Sequence, residues 1–196
     1  MVIAKKYGQL EILTAENITA PHCFTTRLGG VSTGIFDSLN LSLNRGDEQA
    51  NVVENYRRVG EVLGFTPEDV VNARQIHSDI VVRVGREHRG KLTVPGASPE
   101  CDALITNEPG VALYVSTADC TPILLHDPVT GAVGAAHAGW RGTAADIAVC
   151  SVPGASTRWR CPTMGTGRTA RAPLRTGSHR KTFSTCFASL QNRQSC

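Results

Sequence analysis

Two chemically reactive side chains, Cys120 and His137, lie at the borders of short apolar segments. A thiolate and an imidazole are metal ligands, and a cysteine near a histidine can also act as a nucleophile with its base. Apolar segments of this kind, bounded by Gly, Pro and Asp, are typical of buried strands. Because strand ends hold side chains on a rigid scaffold, we predict that Ala103 to Thr143 forms the core of an active site.

The predicted strands of this core follow one another closely. They are Val111 to Ser116, Pro122 to Leu125 and Ala132 to Ala136. The motif TADC places Cys120 at a turn that opens the second strand, whereas HAGWRGT adds two flexible glycines and the cation of Arg141 after the third. A buried structural thiol is the alternative for Cys120, because most free cysteines are of that kind.

Arg27 lies in a glycine-rich segment, TTRLGGVSTG, after predicted strands at residues 9–13 and 22–26. Backbone N–H groups and a guanidinium together suit a phosphate or a carboxylate. No Gly-Lys-Ser/Thr sequence follows, so the segment is not a P-loop. An ordinary surface position is the alternative for Arg27, since arginine is usually exposed.

The elements around this core are predicted to be scaffold. Apolar residues at helical spacing predict a helix from Asp47 to Gly64, and Thr66 to Asp69 has the features of a second helix start. His77 precedes a strand-like run at residues 80–84. A single histidine indicates a functional site only if other functional side chains lie beside it. Residues 85–100 are polar, predicting a loop that could cover the cleft. His88 and Cys101 are left outside the site.

The composition indicates one domain of 196 residues with a substantial core. No apolar run approaches the roughly 18 residues of a membrane span, and the first residues lack a signal peptide's apolar segment. The seven cysteines form no CxxC pair, which favours reduced thiols. We therefore expect a soluble, cytoplasmic protein without a membrane partner.

The charge distribution divides the chain near Asp146. Residues 1–146 carry 12 basic and 17 acidic side chains, whereas residues 147–196 carry eight basic and none acidic. The second part also lacks clear periodicity and is rich in Arg, Ser, Gly and Pro, which is typical of disorder. A nucleic-acid-binding arm is disfavoured, because interleaved aromatic residues are missing.

Several motifs follow one another along roughly residues 20–145: FTTRLGGVS, SLNLS, GDEQANVVENYRRV, RQIHSD, CDALIT, GVALYVSTADCTPILLHDP and GAVGAAHAGWRGT. In this order they resemble the laccase-domain (polyphenol-oxidase-like) family of purine nucleoside phosphorylases. The resemblance implies an α/β fold, with a layered mixed β-sheet core flanked by helices in a single domain. It also implies a zinc ion bound in a cleft.

The same resemblance implies a set of substrates and reactions. These are phosphorolysis of adenosine, inosine and methylthioadenosine, and deamination of adenosine to inosine. Purine nucleosides and phosphate are accordingly the expected partners. Copper-dependent polyphenol oxidation, another interpretation of the family, is an alternative in which copper replaces zinc. A cysteine hydrolase with Cys120 as nucleophile and His137 as base is a further alternative.

Carried over by motif, the metal ligands are His77, Cys120 and His137. Two imidazoles and a thiolate fill three corners of a tetrahedral zinc site and leave the fourth open. His77, Cys120 and Arg27 are the expected catalytic residues, and Arg27 is also expected to bind substrate. We add Arg141 as a second substrate-binding residue, because phosphorolysis requires cations around a dianion.

The resemblance fades after HAGWRGT. A following helix begins with TAADIAVC, but the glycine- and proline-rich C-terminal motifs of the family are not recognisable. We therefore expect an incomplete catalytic core at residues 1–146 and a basic, disordered or non-native tail at residues 147–196. A change of reading frame would produce such a break and would impair the activity.

Overall fold

The computed structural model of the chain describes residues 1–151, 158–159 and 184–189. The strands are β1 Val2–Tyr7, β2 Leu10–Ala15, β3 His22–Thr25, β4 Val70–Asn72, β5 Val81–Arg83, β6 Ala103–Thr106, β7 Ala112–Thr117, β8 Thr121–His126, β9 Val133–Ala138, β10 Arg158–Trp159 and β11 Ser184–Ser189. The helices are α1 Gln49–Leu63, α2 Trp140–Ala144 and α3 Ile147–Cys150, with 3₁₀ turns at Gly34–Phe36, Pro67–Asp69 and Arg86–His88.

The strands form two mixed sheets. The first has the order β1-β2-β3-β11-β7-β4, and all its pairings are antiparallel except that of β4 with β7. The second has the order β10-β5-β6-β9-β8, in which only β5 and β6 run parallel. The neighbours β6 and β9 of the second sheet are thus antiparallel, and this relation determines how the site is assembled.

Strand alternation sorts the core into layers. On β7, Ala112 and Tyr114 pack in one cluster with helix α1, whereas Leu113 and Val115 pack on the opposite face with strands of the second sheet. Successive side chains of a strand point to opposite faces, so β7 lies between α1 and the second sheet. The far face of the second sheet packs against Ile147 of α3. The predicted α/β fold, with a layered mixed-sheet core flanked by helices, is confirmed.

Helix α1 agrees with its sequence pattern. The apolar residues predicted for one face are all buried: Val52, Tyr56, Val59 and Leu63. The helix ends at Gly64, which has a φ of 77° and donates its N–H to the carbonyl of Gly60. The second predicted helix is only a 3₁₀ turn, Pro67–Asp69, because strand β4 begins directly after it.

One ion cluster on α1 leads to a prediction about stability and pH. Hydrogen bonds from Arg57 and then Arg58 lower the pKa of Glu54 from 4.5 to about 2. The carboxylate therefore stabilises the fold above about pH 4.5, and this stabilisation is lost as the pH falls towards 2. The Glu54 side chain is 31% exposed, so we expect Glu54→Gln to lower the unfolding free energy at pH 7 by only about 0.5–1 kcal/mol. Urea unfolding at pH 7 and pH 3 should show the difference shrinking with acidification, and an unchanged difference would contradict the assignment.

The segment after Asp146 is described in part. Ile147 is buried, β10 pairs with β5, and β11 lies between β3 and β7. Residues 152–157, 160–183 and 190–196 of the predicted tail lie outside the described part of the chain. The division into a core at 1–146 and a tail at 147–196 stays a prediction. Within the described residues, none of the helices is both long and apolar enough to cross a bilayer.

Candidate metal centre

The reactive side chains lie where several strands of the second sheet begin or end. Because β5, β6 and β8 run in one direction and β9 in the other, the beginnings of the first three meet the end of β9. Thr121 pairs with Ala138, so Cys120 and Gly139 are the next neighbours along that register. His137 belongs to β9, and His77 lies in the turn before β5.

A compact cluster at this end of the sheet is formed by His77, Cys120 and His137. Each offers one potential ligand atom, and these atoms lie within 4.8 Å of one another. The two imidazole rings are 4.9 Å apart at an interplanar angle of 87°. His137 is buried, Cys120 is half-buried and His77 is exposed, so the cluster is open on one side. The structure thus brings together the three residues that the resemblance implied as ligands.

Gly139 gives an independent test of whether a metal fits. A Cβ added to Gly139 would lie 3.0 Å from His77 Nδ1, 3.5 Å from Cys120 Sγ and 3.5 Å from His137 Cε1. The φ of Gly139 is −70°, which any residue can adopt, so the backbone alone does not require glycine. The space in front of Gly139 is bordered by side-chain atoms of all three residues. Two imidazoles and a thiolate around such a space suit zinc with one open coordination position.

A buried carboxylate that the sequence did not single out, Asp102, lies behind the cluster. It is fully buried and its Oδ1 lies 2.8 Å from His137 Nδ1. The same carboxylate accepts hydrogen bonds from the backbone of the turn at residues 76–78. Burial raises the pKa of Asp102, but hydrogen bonds from His137 and Ser78 outweigh burial and hold that pKa below its usual value. Asp102 is therefore an ionised acceptor. In the sequence, the feature that could have pointed to Asp102 is an acidic residue directly before the apolar run ALIT.

His77 has a backbone conformation that is unusual for a side chain with a Cβ. Its φ is 57°, in the left-handed region that favours glycine. Such residues persist where the surroundings hold them, and here Asp102 Oδ1 accepts the N–H of His77 at 3.1 Å. The strained turn places the imidazole beside Cys120 and His137.

The cluster faces a cleft of about 560 Å³ between the two sheets. Its walls come from the end of β7, from residues 73–75 after β4 and from the loop at residues 42–45, and they include Arg45, Arg74 and Asp119. Gln75 joins two of these walls, because its side-chain amide bonds the carbonyl of Ser116 at 2.7 Å and accepts the Ser116 N–H at 2.8 Å. Residues 85–100, the loop expected to cover the cleft, are not among the lining residues, although Glu100 at the end of this loop pairs with Arg74 on the cleft wall.

The two arginines predicted from the sequence are not among the lining residues of this cleft. Arg27 donates a hydrogen bond to the carbonyl of Asp37 at 2.6 Å, and its guanidinium lies 3.7 Å from the Asp37 carboxylate. Arg141 is exposed, and its guanidinium lies 5.2 Å from the centroid of the Trp140 ring. Substrate binding by Arg27 and Arg141 stays a prediction, whereas Arg45 and Arg74 do line the cleft.

These features define an α/β protein with a His-Cys-His cluster in a cleft between two mixed sheets. Residues 21–163 match the family described as multi-copper polyphenol oxidoreductase laccase. That match covers well over half of the chain, and the chain belongs to this family.

Similar proteins agree in both sequence and fold. A purine nucleoside phosphorylase of Deinococcus radiodurans is 46% identical over 138 residues, covering 70% of this chain and 51% of that protein. The purine nucleoside phosphorylase YlmD of Geobacillus stearothermophilus is 45% identical over 126 residues, 63% of this chain and 46% of that protein. The chain spans about half the length of these curated relatives.

Two solved structures share the fold. The crystal structure of YlmD from Geobacillus stearothermophilus matches with a TM-score of 0.67 and 37% identity, covering 76% of this chain and 56% of that one. The hypothetical protein YfiH of Bacillus licheniformis matches with a TM-score of 0.66 and 33% identity, covering 74% and 55%.

Proposed function

We propose that this chain is a metal-dependent purine nucleoside phosphorylase whose zinc ion is held by His77, Cys120 and His137. The single observation that carries the proposal is the cluster of these three side chains at the mouth of a cleft. Relatives named purine nucleoside phosphorylase, which match 63–70% of this chain, supply the reaction class. Adenosine, inosine and methylthioadenosine are the proposed nucleosides, and adenosine deamination is a proposed second activity.

The roles of the residues follow from their positions. A bound zinc ion would supply Lewis acidity at neutral pH. His137 and Cys120 lie on adjacent strand ends, so a rigid sheet would hold two of its ligands. The cleft is large enough for a small molecule and borders the exposed His77, so a nucleoside can reach the cluster from that side.

Product analysis with the purified 196-residue chain tests this function. The zinc-loaded protein is incubated with adenosine or inosine, with and without phosphate, and the products are separated by chromatography. Phosphate-dependent release of adenine or hypoxanthine together with ribose 1-phosphate is expected. Inosine formed from adenosine without phosphate would support the deaminase activity. A folded, zinc-loaded chain that forms none of these products would overturn the function for this chain.

Two other chemistries use the same side chains. In a cysteine hydrolase, Cys120 would be the nucleophile, and a strong chelator would leave the activity intact. A copper-dependent phenol oxidase is favoured by the family description and by a His₂Cys donor set, which copper also accepts. Metal analysis of the purified protein, combined with assays on a phenol and on inosine after reconstitution with each metal, separates the three.

A separate prediction concerns Arg45 and Arg74, the two arginines that line the cleft. We expect Arg45→Gln and Arg74→Gln each to raise the KM for phosphate about tenfold or more, because a hydrogen bond to a charged group contributes about 1.5–3 kcal/mol. Arg74 lies 2.8 Å from Glu100, but both side chains are more than half exposed, so that pair competes only weakly. Steady-state assays at varied phosphate should include Arg27→Gln and Arg141→Gln. A larger increase of the KM for phosphate in Arg27→Gln and Arg141→Gln would indicate that the residues predicted from the sequence bind phosphate.

A further inference from the structure

We infer that Asp102 is the positioning residue of the metal centre, because its single carboxylate fixes both histidines in ligand geometry before any metal binds. The inference rests on the proposed metal role of His77, Cys120 and His137, and it does not depend on the nucleoside chemistry. A carboxylate that orients a metal-binding imidazole is a general device in metal sites. What distinguishes this chain is that one side chain serves two ligands from separate segments.

The Oδ1 atom of Asp102 determines the protonation pattern of His137. It lies 2.8 Å from His137 Nδ1, and both oxygens of the carboxylate already accept backbone N–H groups of residues 76–78, so the carboxylate acts as an acceptor towards His137 as well. The neutral imidazole must therefore carry its proton on Nδ1. Its Nε2 then has a free lone pair, which is the form that binds a metal.

The other contacts of the carboxylate hold the turn of His77. Oδ1 accepts the N–H of His77 at 3.1 Å, and Oδ2 accepts the N–H of Ile76 at 3.3 Å, the N–H of Ser78 at 2.6 Å and the Ser78 hydroxyl at 2.7 Å. A left-handed backbone is strained at a residue with a Cβ. These bonds offset that strain, and so the imidazole of His77 is presented to the cluster.

The backbone of Asp102 is also held in place. Asp102 has no exposed surface, its N–H donates to the carbonyl of Ile80 at 3.0 Å, and its carbonyl accepts the N–H of His137 at 2.7 Å. The residue is therefore anchored through its own backbone between Ile80, directly before β5, and His137 of β9. Displacement of its side chain would disturb His77 and His137 together.

Asp102→Asn is the informative substitution, because the amide keeps the size of the side chain but accepts at only one of two positions. Oδ2 has three donors around it, so the amide oxygen is expected to remain there and the NH₂ group to replace Oδ1. That NH₂ group would face His137 Nδ1, which would then have to accept a hydrogen bond. The proton of His137 would move to Nε2 and block the metal-binding lone pair.

The experiment measures zinc affinity and the histidine tautomer in the full chain. Competition with a chromophoric chelator is expected to show zinc binding 10- to 100-fold weaker in Asp102→Asn. Nitrogen NMR of the metal-free protein is expected to find His137 protonated on Nδ1 in the wild type and on Nε2 in the variant. Asp47→Asn is the matched control, because Asp47 accepts hydrogen bonds from Ser32 and Asn40 in a network that contains none of the three proposed ligands. It should lower stability and leave zinc affinity unchanged.

The outcomes separate this inference from the proposed function. Equal zinc affinity in folded Asp102→Asn and wild type would overturn it, and so would a metal-free wild type with the His137 proton on Nε2. The wild-type spectrum decides the question even if the variant does not fold. Absence of nucleoside cleavage, with the expected affinity and tautomer, would instead overturn only the proposed activity.

Discussion

Cys120→Ala is expected to weaken zinc binding at least about 100-fold and to abolish every metal-dependent activity of the chain. Structural zinc sites with four ligands contribute about 10–16 kcal/mol of binding free energy, so one ligand accounts for roughly 3 kcal/mol. The cluster has three donors, so the loss leaves two imidazoles and no thiolate. Equilibrium dialysis and thermal unfolding at rising zinc concentration should both record the change, because a metal that binds only the folded state raises its stability.

Cys23→Ala is the matched control for this variant. Cys23 is buried in strand β3 and belongs to the cluster around helix α1, so its removal changes packing without touching the cleft. It should lower the free energy of unfolding and leave zinc binding intact. If Cys120→Ala bound zinc as tightly as the wild type, the ligand assignment would be wrong. Activity in a wild-type protein that holds no metal, lost in Cys120→Ala, would instead favour a thiol nucleophile.

Metal binding and nucleoside cleavage have different structural requirements. All three proposed ligands and Asp102 fall between residues 77 and 137, within the part of the chain that matches the family. The chain nevertheless spans only about half the length of its curated relatives. We therefore expect zinc binding to follow from His77, Cys120, His137 and Asp102, and nucleoside cleavage to be a separate property that the product analysis tests.

The elements that local pattern specifies could be predicted from the sequence. Helix α1 and strands β7, β8 and β9 fall within a few residues of their predicted positions. Helix α1 buries a periodic apolar face, whereas the strands are continuous apolar runs, of which β7 and β9 are buried almost throughout. The three-residue cluster was implied by motif resemblance, and the structure brings its members together.

The remaining parts of the site depend on contacts between distant segments. Asp102 lies 25 residues from His77 and 35 from His137, and nothing in its immediate sequence shows that it bonds both. Arg45 and Arg74 belong to separate loops whose meeting at one cleft is a consequence of the tertiary fold. Arg27 lies outside the lining of this cleft, with its guanidinium 3.7 Å from the Asp37 carboxylate, and its role in substrate binding stays a prediction.

Gly139→Ala is expected to weaken zinc binding about 10- to 100-fold while leaving the metal-free fold nearly as stable as before. The new Cβ would lie 3.0 Å from His77 Nδ1, closer than ordinary contacts allow, and within 3.5 Å of Cys120 Sγ. Overpacking of this kind costs about 1–3 kcal/mol. Because the strand end is fixed, the ligand side chains have to shift from their metal-binding positions to relieve it. Alanine is compatible with the φ of −70°, and loss of glycine flexibility in the unfolded chain adds about 0.4–1 kcal/mol of stability.

Gly134→Ala tests the same change in strand β9, which directly precedes Gly139, at a position away from the cluster. Its Cβ would meet side-chain atoms of Ile105 and Leu125 at 3.3–3.5 Å, so the substitution perturbs the core but not the ligands. Chelator competition should therefore show a zinc affinity close to that of the wild type for Gly134→Ala, and chemical unfolding should show the larger loss of stability. Wild-type zinc affinity in Gly139→Ala would mean that the metal does not occupy the space in front of Gly139, and the three side chains would then have to meet a metal from another direction.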